Sequence, residues 1–336
     1  MYPKGEDVKT YLANYLYEKS MISGAQCDDI YNIEYYLTED NFADQTQLAY
    51  KILFGEDPDP IVFTGHKFFL TKNVHPLFGR VDLMEKGLHI FRMIFARHAH
   101  DLRGSGIEEY NRDGVMVIEN FLDDSTSKKI KDFILSYPIC ENIQPFNKIK
   151  EVMSKEYDQK LFYNVFKEKI FPVCAEAVRR VDYEDAAWDH FLHTSYVQRL
   201  QNNPSNGDIQ KVCHSDVFYP CLKYWYFPED VNEGAFMYAK GSTALSTEQL
   251  DFYLKESIAV TNGTWDTKRN KGHSEGSFRA LPDDLARMNL KLEPIVAKAN
   301  SLVVADTSGF HCRGDVTTPT TRNAVHGAIR VETPFD

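Results

Sequence analysis

The sequence predicts an α+β fold, an antiparallel jelly roll with helices packed outside it and a mostly helical N-terminal extension. Three observations predict it. Apolar residues recur at helical spacing through the first 108 residues. The pattern changes at Asn111, and from about residue 194 short β-branched and aromatic runs alternate with turn residues. Leading helices followed by many short strands are the signature of a β-sandwich or barrel carrying outer helices.

The elements follow in order. Tyr11, Leu12, Tyr15 and Leu16 share a helical face, as do Met84, Leu88, Phe91 and Phe95 with Ile94 beside them. The DPDP stretch at 57–60 and KNVHPLFG at 72–79 interrupt the helices. NRDGVMVIENFLDDSTSKKIKDFILSYP then reads as a turn, a strand around Val115 and Val117, and a helix capped by Asp124 or Ser125. Residues 146–180 read as one or two further helices. The predicted strands are TSYVQRLQ, DIQKVCHSD, CLKYWYFP, GAFMYAK, NSLVVAD and NAVHGAIRVE. Residues 250–292 contain the Gly-rich stretch NGTWDTKRNKGHSEGS, which suits a lid or binding loop. No Gly/Ser/Pro-rich linker precedes Asn111, so the 1–108 extension is expected to wrap the 109–336 domain.

Composition narrows the function. With 22 Phe, 19 Tyr and 3 Trp the chain is too aromatic to be disordered. A net charge of -11 argues against a nucleic-acid partner, which needs a basic face. The densest basic stretch, Lys268-Arg269-Asn270-Lys271, reads as a solvated loop. No apolar run reaches the roughly 18 residues of a membrane span, and no secretory h-region opens the chain. Cys27, Cys140, Cys174, Cys213, Cys221 and Cys312 form no CxxC pair. Free thiols in a reducing, cytoplasmic setting are expected, with the Asn262 sequon unglycosylated. Neither a GxSxG elbow, a Walker loop nor an HExxH pair occurs.

His214-Ser215-Asp216 carries the sharpest chemical signal. Residues i and i+2 of a strand face one side, so His214 and Asp216 can point into a barrel together. Two imidazoles and one carboxylate make the facial triad of non-haem Fe(II) oxygenases, which leaves positions open. Such a tripeptide alone is more often structural than a metal site. His311, near the end of the strand-and-turn NSLVVADTSGFHCRGD, supplies the second imidazole. Arg322 follows eleven residues later at the start of the next strand. Its planar fork suits the distal carboxylate of 2-oxoglutarate. Between these segments KYWYFPEDVNEGAFMYAKGS reads as strand, acidic turn, strand and Gly-Ser corner.

In this order the motifs resemble the phytanoyl-CoA dioxygenase superfamily. NRDGVMVIENFLDDS resembles the start of that family's domain, HSD its HxD, NEGAFMYAKGS its Gly-Ser corner, and HCRGD with Arg322 its second His and co-substrate Arg. The resemblance spans roughly 110–332. It implies a double-stranded β-helix (cupin-like) that uses Fe(II), 2-oxoglutarate and O2, with His214, Asp216 and His311 on iron and Arg322 on 2-oxoglutarate. Thr243 stands where the family's corner ends in His, a residue that does not ligate iron. The helical first 108 residues have no counterpart in the family pattern. Related halogenases carry a small residue where this chain has Asp216, so the carboxylate implies hydroxylation, desaturation or ring closure of a small molecule. An amino-acid-derived metabolite is the expected kind, with Arg330, Lys223 or Lys240 available to a substrate carboxylate.

Other side chains stay open at this level. Gln198 or Arg199 is a candidate for the co-substrate, depending on which face of their strand turns inward. Lys223, Trp225 and Phe227 share one strand face, and Leu222, Tyr224 and Tyr226 the other; one set lines a pocket and the other packs under helices. His326 and Arg330 share a face with Arg322. Arg313 is a candidate salt-bridge support for the site, and strand parity turns Cys213 away from it. His98, His100 and Asp101, like His190 and His193, read as structural. Two rival functions remain, a metal-containing jelly-roll binding protein and a cupin-like hydrolase or isomerase. Neither needs the co-substrate arginine.

Overall fold

The computed structural model describes residues 107–137, 139, 159–177, 191, 194–204, 208–216, 221–243, 246, 248–249, 252, 255–256 and 278–330. Nearly all of the predicted 1–108 extension, the 257–277 part of the Gly-rich segment, and His98, His100, Asp101, His190 and His193 lie outside the described residues.

Helix α1 (Glu108–Asp113) ends at Gly114, whose φ of 75° lets its N–H close on Tyr110 O. That left-handed cap suits a residue without a Cβ, and it feeds strand β1 (Val115–Ile118). Helix α2 (Asp124–Leu135) is capped by Asp123, which accepts from Thr126 N at 3.0 Å. The cap is therefore Asp123, one residue before Asp124 and two before Ser125. Helix α3 is α-helical over Gln159–Phe162, π-helical over Tyr163–Ile170 and α-helical again over Phe171–Ala177. Pro172 lacks an N–H and crowds the preceding turn, which suits the widened stretch just before it.

The strands are β2 (Tyr196–Asn202), β3 (Cys221–Phe227), β4 (Val231–Tyr238), β5 (Glu293–Ala297), β6 (Ser301–Asp306), β7 (His311–Arg313) and β8 (Thr320–Arg330). A short helix, α4 (Pro282–Arg287), precedes β5. Two antiparallel sheets result, a five-stranded one in the order β1-β6-β3-β8-β2 and a three-stranded one in the order β5-β4-β7.

Period-two alternation decides how the sheets are covered. One face of the large sheet offers Leu222, Tyr224, Tyr226, Leu302, Val304, Val325 and Ile329 to Ile130, Phe133 and Ile134 of α2 and to Phe162, Phe166 and Ile170 of α3. The other face offers Val115, Trp225, Phe227, Val303, Ala305 and Ala324 to Val231, Phe236, Tyr238, Ile295 and Ala297 of the small sheet. Trp225 and Phe236 meet across this interior with ring centroids 4.6 Å apart. Each large apolar side chain buried in this way stabilises the fold by about 1.5–3 kcal/mol.

Two expectations change. DIQKVCHSD is not a strand: Ile209–Lys211 forms a 3-10 turn and only His214 makes isolated bridges. His311 does not end a strand but opens β7, after the turn that follows β6. Strand β5 went unread because it is short and carries Pro294 beside an exposed Val296.

Candidate active site

His214 is held from both sides. Its N–H donates to His311 O at 2.9 Å, and His311 N returns the bond to His214 O at 2.8 Å. On its other side His214 bridges Arg279, beside a bond from Ala280 N to Cys213 O. Asp216 N donates to Thr307 O at 2.8 Å, so the irregular 212–216 segment is tied to the turn after β6. The Gly-Ser corner fixes the far side of that turn. Ser242 Oγ accepts from Phe310 N, and Ala239 N donates to Phe310 O.

These ties set the ring orientations. His214 Nδ1 lies 2.8 Å from Val212 O, and His311 Nδ1 lies 2.9 Å from Gly309 O. A carbonyl can only accept, so each Nδ1 carries the proton and each Nε2 keeps its lone pair. Both Nε2 atoms lie 3.8 Å from Asp216 Oδ1. One ligand atom from each of His214, Asp216 and His311 lies within 4.8 Å of the other two.

Protonation states agree with this geometry. Burial, reinforced by the neighbouring His311 and opposed by Asp216, holds the His214 imidazole well below its ordinary value. Burial also lowers His311 against the pull of Asp216. For Asp216 burial pushes the carboxyl up, but the Lys223 ammonium leads the opposing influences, and the carboxyl is held well below the usual range. Two neutral imidazoles facing one carboxylate is the donor set a divalent transition metal requires. Lys223 Nζ ion-pairs with the other carboxylate oxygen, Asp216 Oδ2.

Arg322 sits on the same inward face. Its Nη1 is 3.4 Å from Gly234 O and its Nη2 is 3.4 Å from Gln198 Oε1, both long for hydrogen bonds. Its buried Nε has no hydrogen-bond partner among the described residues. Burial, with Arg313 adding repulsion, pushes the guanidinium down to about 10. A buried cation with weak contacts and an orphaned N–H is suited to an incoming carboxylate. The register shift in β4 at Gly234, with φ 63°, places that residue's carbonyl beneath the fork.

The strand faces left open by the sequence now resolve. Gln198 pairs with Ala324 and faces inward beside Arg322. Arg199 faces outward, bonded to Asn323 Oδ1 and to the carbonyls of Leu135 and Tyr137 at the end of α2. Lys223 and Trp225 line the site, while Leu222, Tyr224 and Tyr226 lie under the helices. His326 stacks on Trp225 at 4.9 Å and 12°, meets Tyr196 edge-on at 5.1 Å, and bonds Tyr224 O through Nδ1. Burial pushes it down to about 3. Arg313 pairs with Asp208 at 2.5 Å. Cys213 is buried beside His214, its thiol pushed up by burial.

Arg279 escaped the sequence reading. It is wholly buried, and its Nη1 donates at 3.1 Å to Val212 O, the carbonyl that also orients His214. Burial pushes it down to about 10 against the attraction of Asp216. It ends a polar, Gly-rich segment with no strand pattern, so nothing local marked it.

No protein-family profile matches the chain. No curated relative matches it either. Among solved structures it is similar to the epimerase SnoN in complex with Fe3+, alpha ketoglutarate and nogalamycin RO, at 13% identity and TM-score 0.40 over 66% of this chain and 80% of that one. The non-heme alpha ketoglutarate dependent carbocyclase SnoK matches at 13% identity and TM-score 0.35, over 66% and 80%. HygX from Streptomyces hygroscopicus with iron bound matches at 10% identity and TM-score 0.37, over 67% and 86%.

Proposed function

We propose that this chain is a non-haem Fe(II) oxygenase that consumes 2-oxoglutarate and O2, on the double-stranded β-helix of the phytanoyl-CoA dioxygenase superfamily. The observation that carries the reading is the convergence of His214 Nε2, His311 Nε2 and Asp216 Oδ1, with both Nδ1 atoms already committed to carbonyls. Iron held there would supply O2 activation, coupling the decarboxylation of 2-oxoglutarate to succinate with oxidation of the substrate.

The chain's own residues do the rest. His214, His311 and Asp216 present three donors from one side and leave the opposite side free for co-substrate. Arg322 meets the distal carboxylate of 2-oxoglutarate, with Gln198 orienting the guanidinium through Oε1. The apolar walls formed by Trp225, Phe236 and Ala324 keep bulk water from the interior. The substrate is a small molecule that undergoes hydroxylation, desaturation or ring closure. The buried free thiols Cys174, Cys213, Cys221 and Cys312 fit a cytoplasmic enzyme.

The test is 2-oxoglutarate binding to the anaerobic Fe(II) protein, followed by succinate release and O2 uptake in air. The parent is expected to bind 2-oxoglutarate only with metal present and to release succinate. His214→Ala is expected to lose metal and turnover together. Failure of 2-oxoglutarate to bind the anaerobic Fe(II) protein overturns the proposal and favours a metal-dependent hydrolase, isomerase or binding protein.

A further inference from the structure

Asp216 has two carboxylate oxygens, and the site needs only one of them. Oδ1 faces both imidazoles at 3.8 Å. Oδ2, which has no hydrogen-bond partner among the described residues, is ion-paired with the Lys223 ammonium. Lys223 comes from the middle of β3, on the inward face of the large sheet. Its cross-strand neighbours are Ala305 on β6 and Ala328 on β8. Two alanines flanking a lysine leave room for its four-carbon stem to lie along the sheet and reach the carboxylate. Lys223 and Asp216 are 18% and 15% exposed, so the pair is screened far less than one at the surface.

The consequence concerns denticity. A carboxylate free to turn about its last torsion can offer one oxygen or both to a cation. An ammonium fixed on Oδ2 removes that choice. We infer that Lys223 is a positioning residue that holds Asp216 as a one-oxygen ligand, so that three positions on the metal stay open. This rests on the oxygenase reading, because 2-oxoglutarate takes two positions and O2 needs the third. It also gives the lysine a role other than binding a substrate carboxylate.

The experiment uses the full chain and Mn(II) alone as probe. Water-proton relaxation per bound ion counts open positions without any turnover. The parent, Lys223→Met and Lys223→Arg are compared, with thermal melts to confirm folding. Lys223→Met is expected to lower the relaxation per bound ion by about a third, as three open positions become two. Its anaerobic 2-oxoglutarate affinity should stay within about threefold of the parent, while turnover falls at least tenfold, the scale of a lost supporting contact at a metal site. Lys223→Arg, which keeps the cation, is expected to restore most of both. Should Lys223→Met fail to fold, Lys223→Ala with and without a short alkylamine takes its place, and amine-dependent recovery supports the inference. Parental relaxation and turnover in the cation-less variant overturn it. A parent that binds no Mn(II) overturns the oxygenase reading itself.

Discussion

The two faces of the five-stranded sheet differ in what they leave unsatisfied. On the helix-covered face the buried side-chain polar atoms are paired among the described residues. Tyr224 Oη donates to Ser195 Oγ at 2.6 Å, Tyr226 Oη donates to Asn300 Oδ1 at 3.0 Å, and Arg199 bonds the end of α2. On the inward face of the same strands Arg322 makes only long contacts and leaves Nε without a partner among the described residues. Lys223 and Asp216 meet beside two neutral imidazoles. The difference teaches that adjacent residues of one strand can serve opposite ends. Leu222 and Tyr224 build the core, and Lys223 between them builds the site. Buried polar groups without full partners are costly, so a face that retains them is shaped for something that arrives later.

Breaking the inward face should leave the fold intact and abolish chemistry. His311→Ala is expected to cut succinate release by more than about 100-fold, beyond the loss from a supporting contact, with the thermal midpoint in the metal-free state little changed. Breaking the outward face should do the reverse. Leu222→Ala removes a fully buried side chain and should cost about 2–5 kcal/mol in urea unfolding, while turnover per folded molecule stays parental. A variant that lost both properties at once would erase the division between the faces.

Arg322→Ala sharpens the comparison. Removing charge-assisted bonds to a carboxylate should weaken 2-oxoglutarate about 10- to 100-fold by calorimetry. Stability should hold or rise, because a buried guanidinium with long contacts is gone.

An effect confined to acid pH is expected from His326→Gln. His326 is pushed down to about 3, whereas an unfolded histidine titrates near 6.5. Between those values the unfolded chain binds a proton that the folded chain refuses. The parent's stability is therefore fully present above about pH 6.5 and is lost as pH falls toward 3, by up to about 1.4 kcal/mol per pH unit. Urea unfolding at a series of pH values should show a shallower acid limb in His326→Gln.

Much of this was legible in the chain. The runs VMVI, YVQRLQN, CLKYWYF and SLVVAD alternate or stay apolar over strand lengths, and each is a strand. His214, Asp216 and His311 stood out by residue type and order, and they converge. Three things were hidden. The 208–216 stretch DIQKVCHSD reads as a strand, yet its backbone bonds to distant segments are made with His311, Thr307 and Ala280 rather than along a ladder. Arg279 follows a segment without periodicity, so its place beside Val212 O could not be inferred from neighbours in sequence. The cap at Asp123 depended on a single backbone turn, which composition does not distinguish from its neighbour Asp124.

By itself the sequence determined which residues can form strands, which donors are available and which side chains share a strand face, because these follow from a period of two and from side-chain chemistry. Only the tertiary structure decided which of the two faces turned inward, and with it the assignment of Gln198 over Arg199 and of Lys223 over Tyr224 to the site. That choice rests on register between strands far apart in the chain. A slip of one residue would reverse every face, and the apolar surfaces of α2, α3 and the small sheet select the register that buries both.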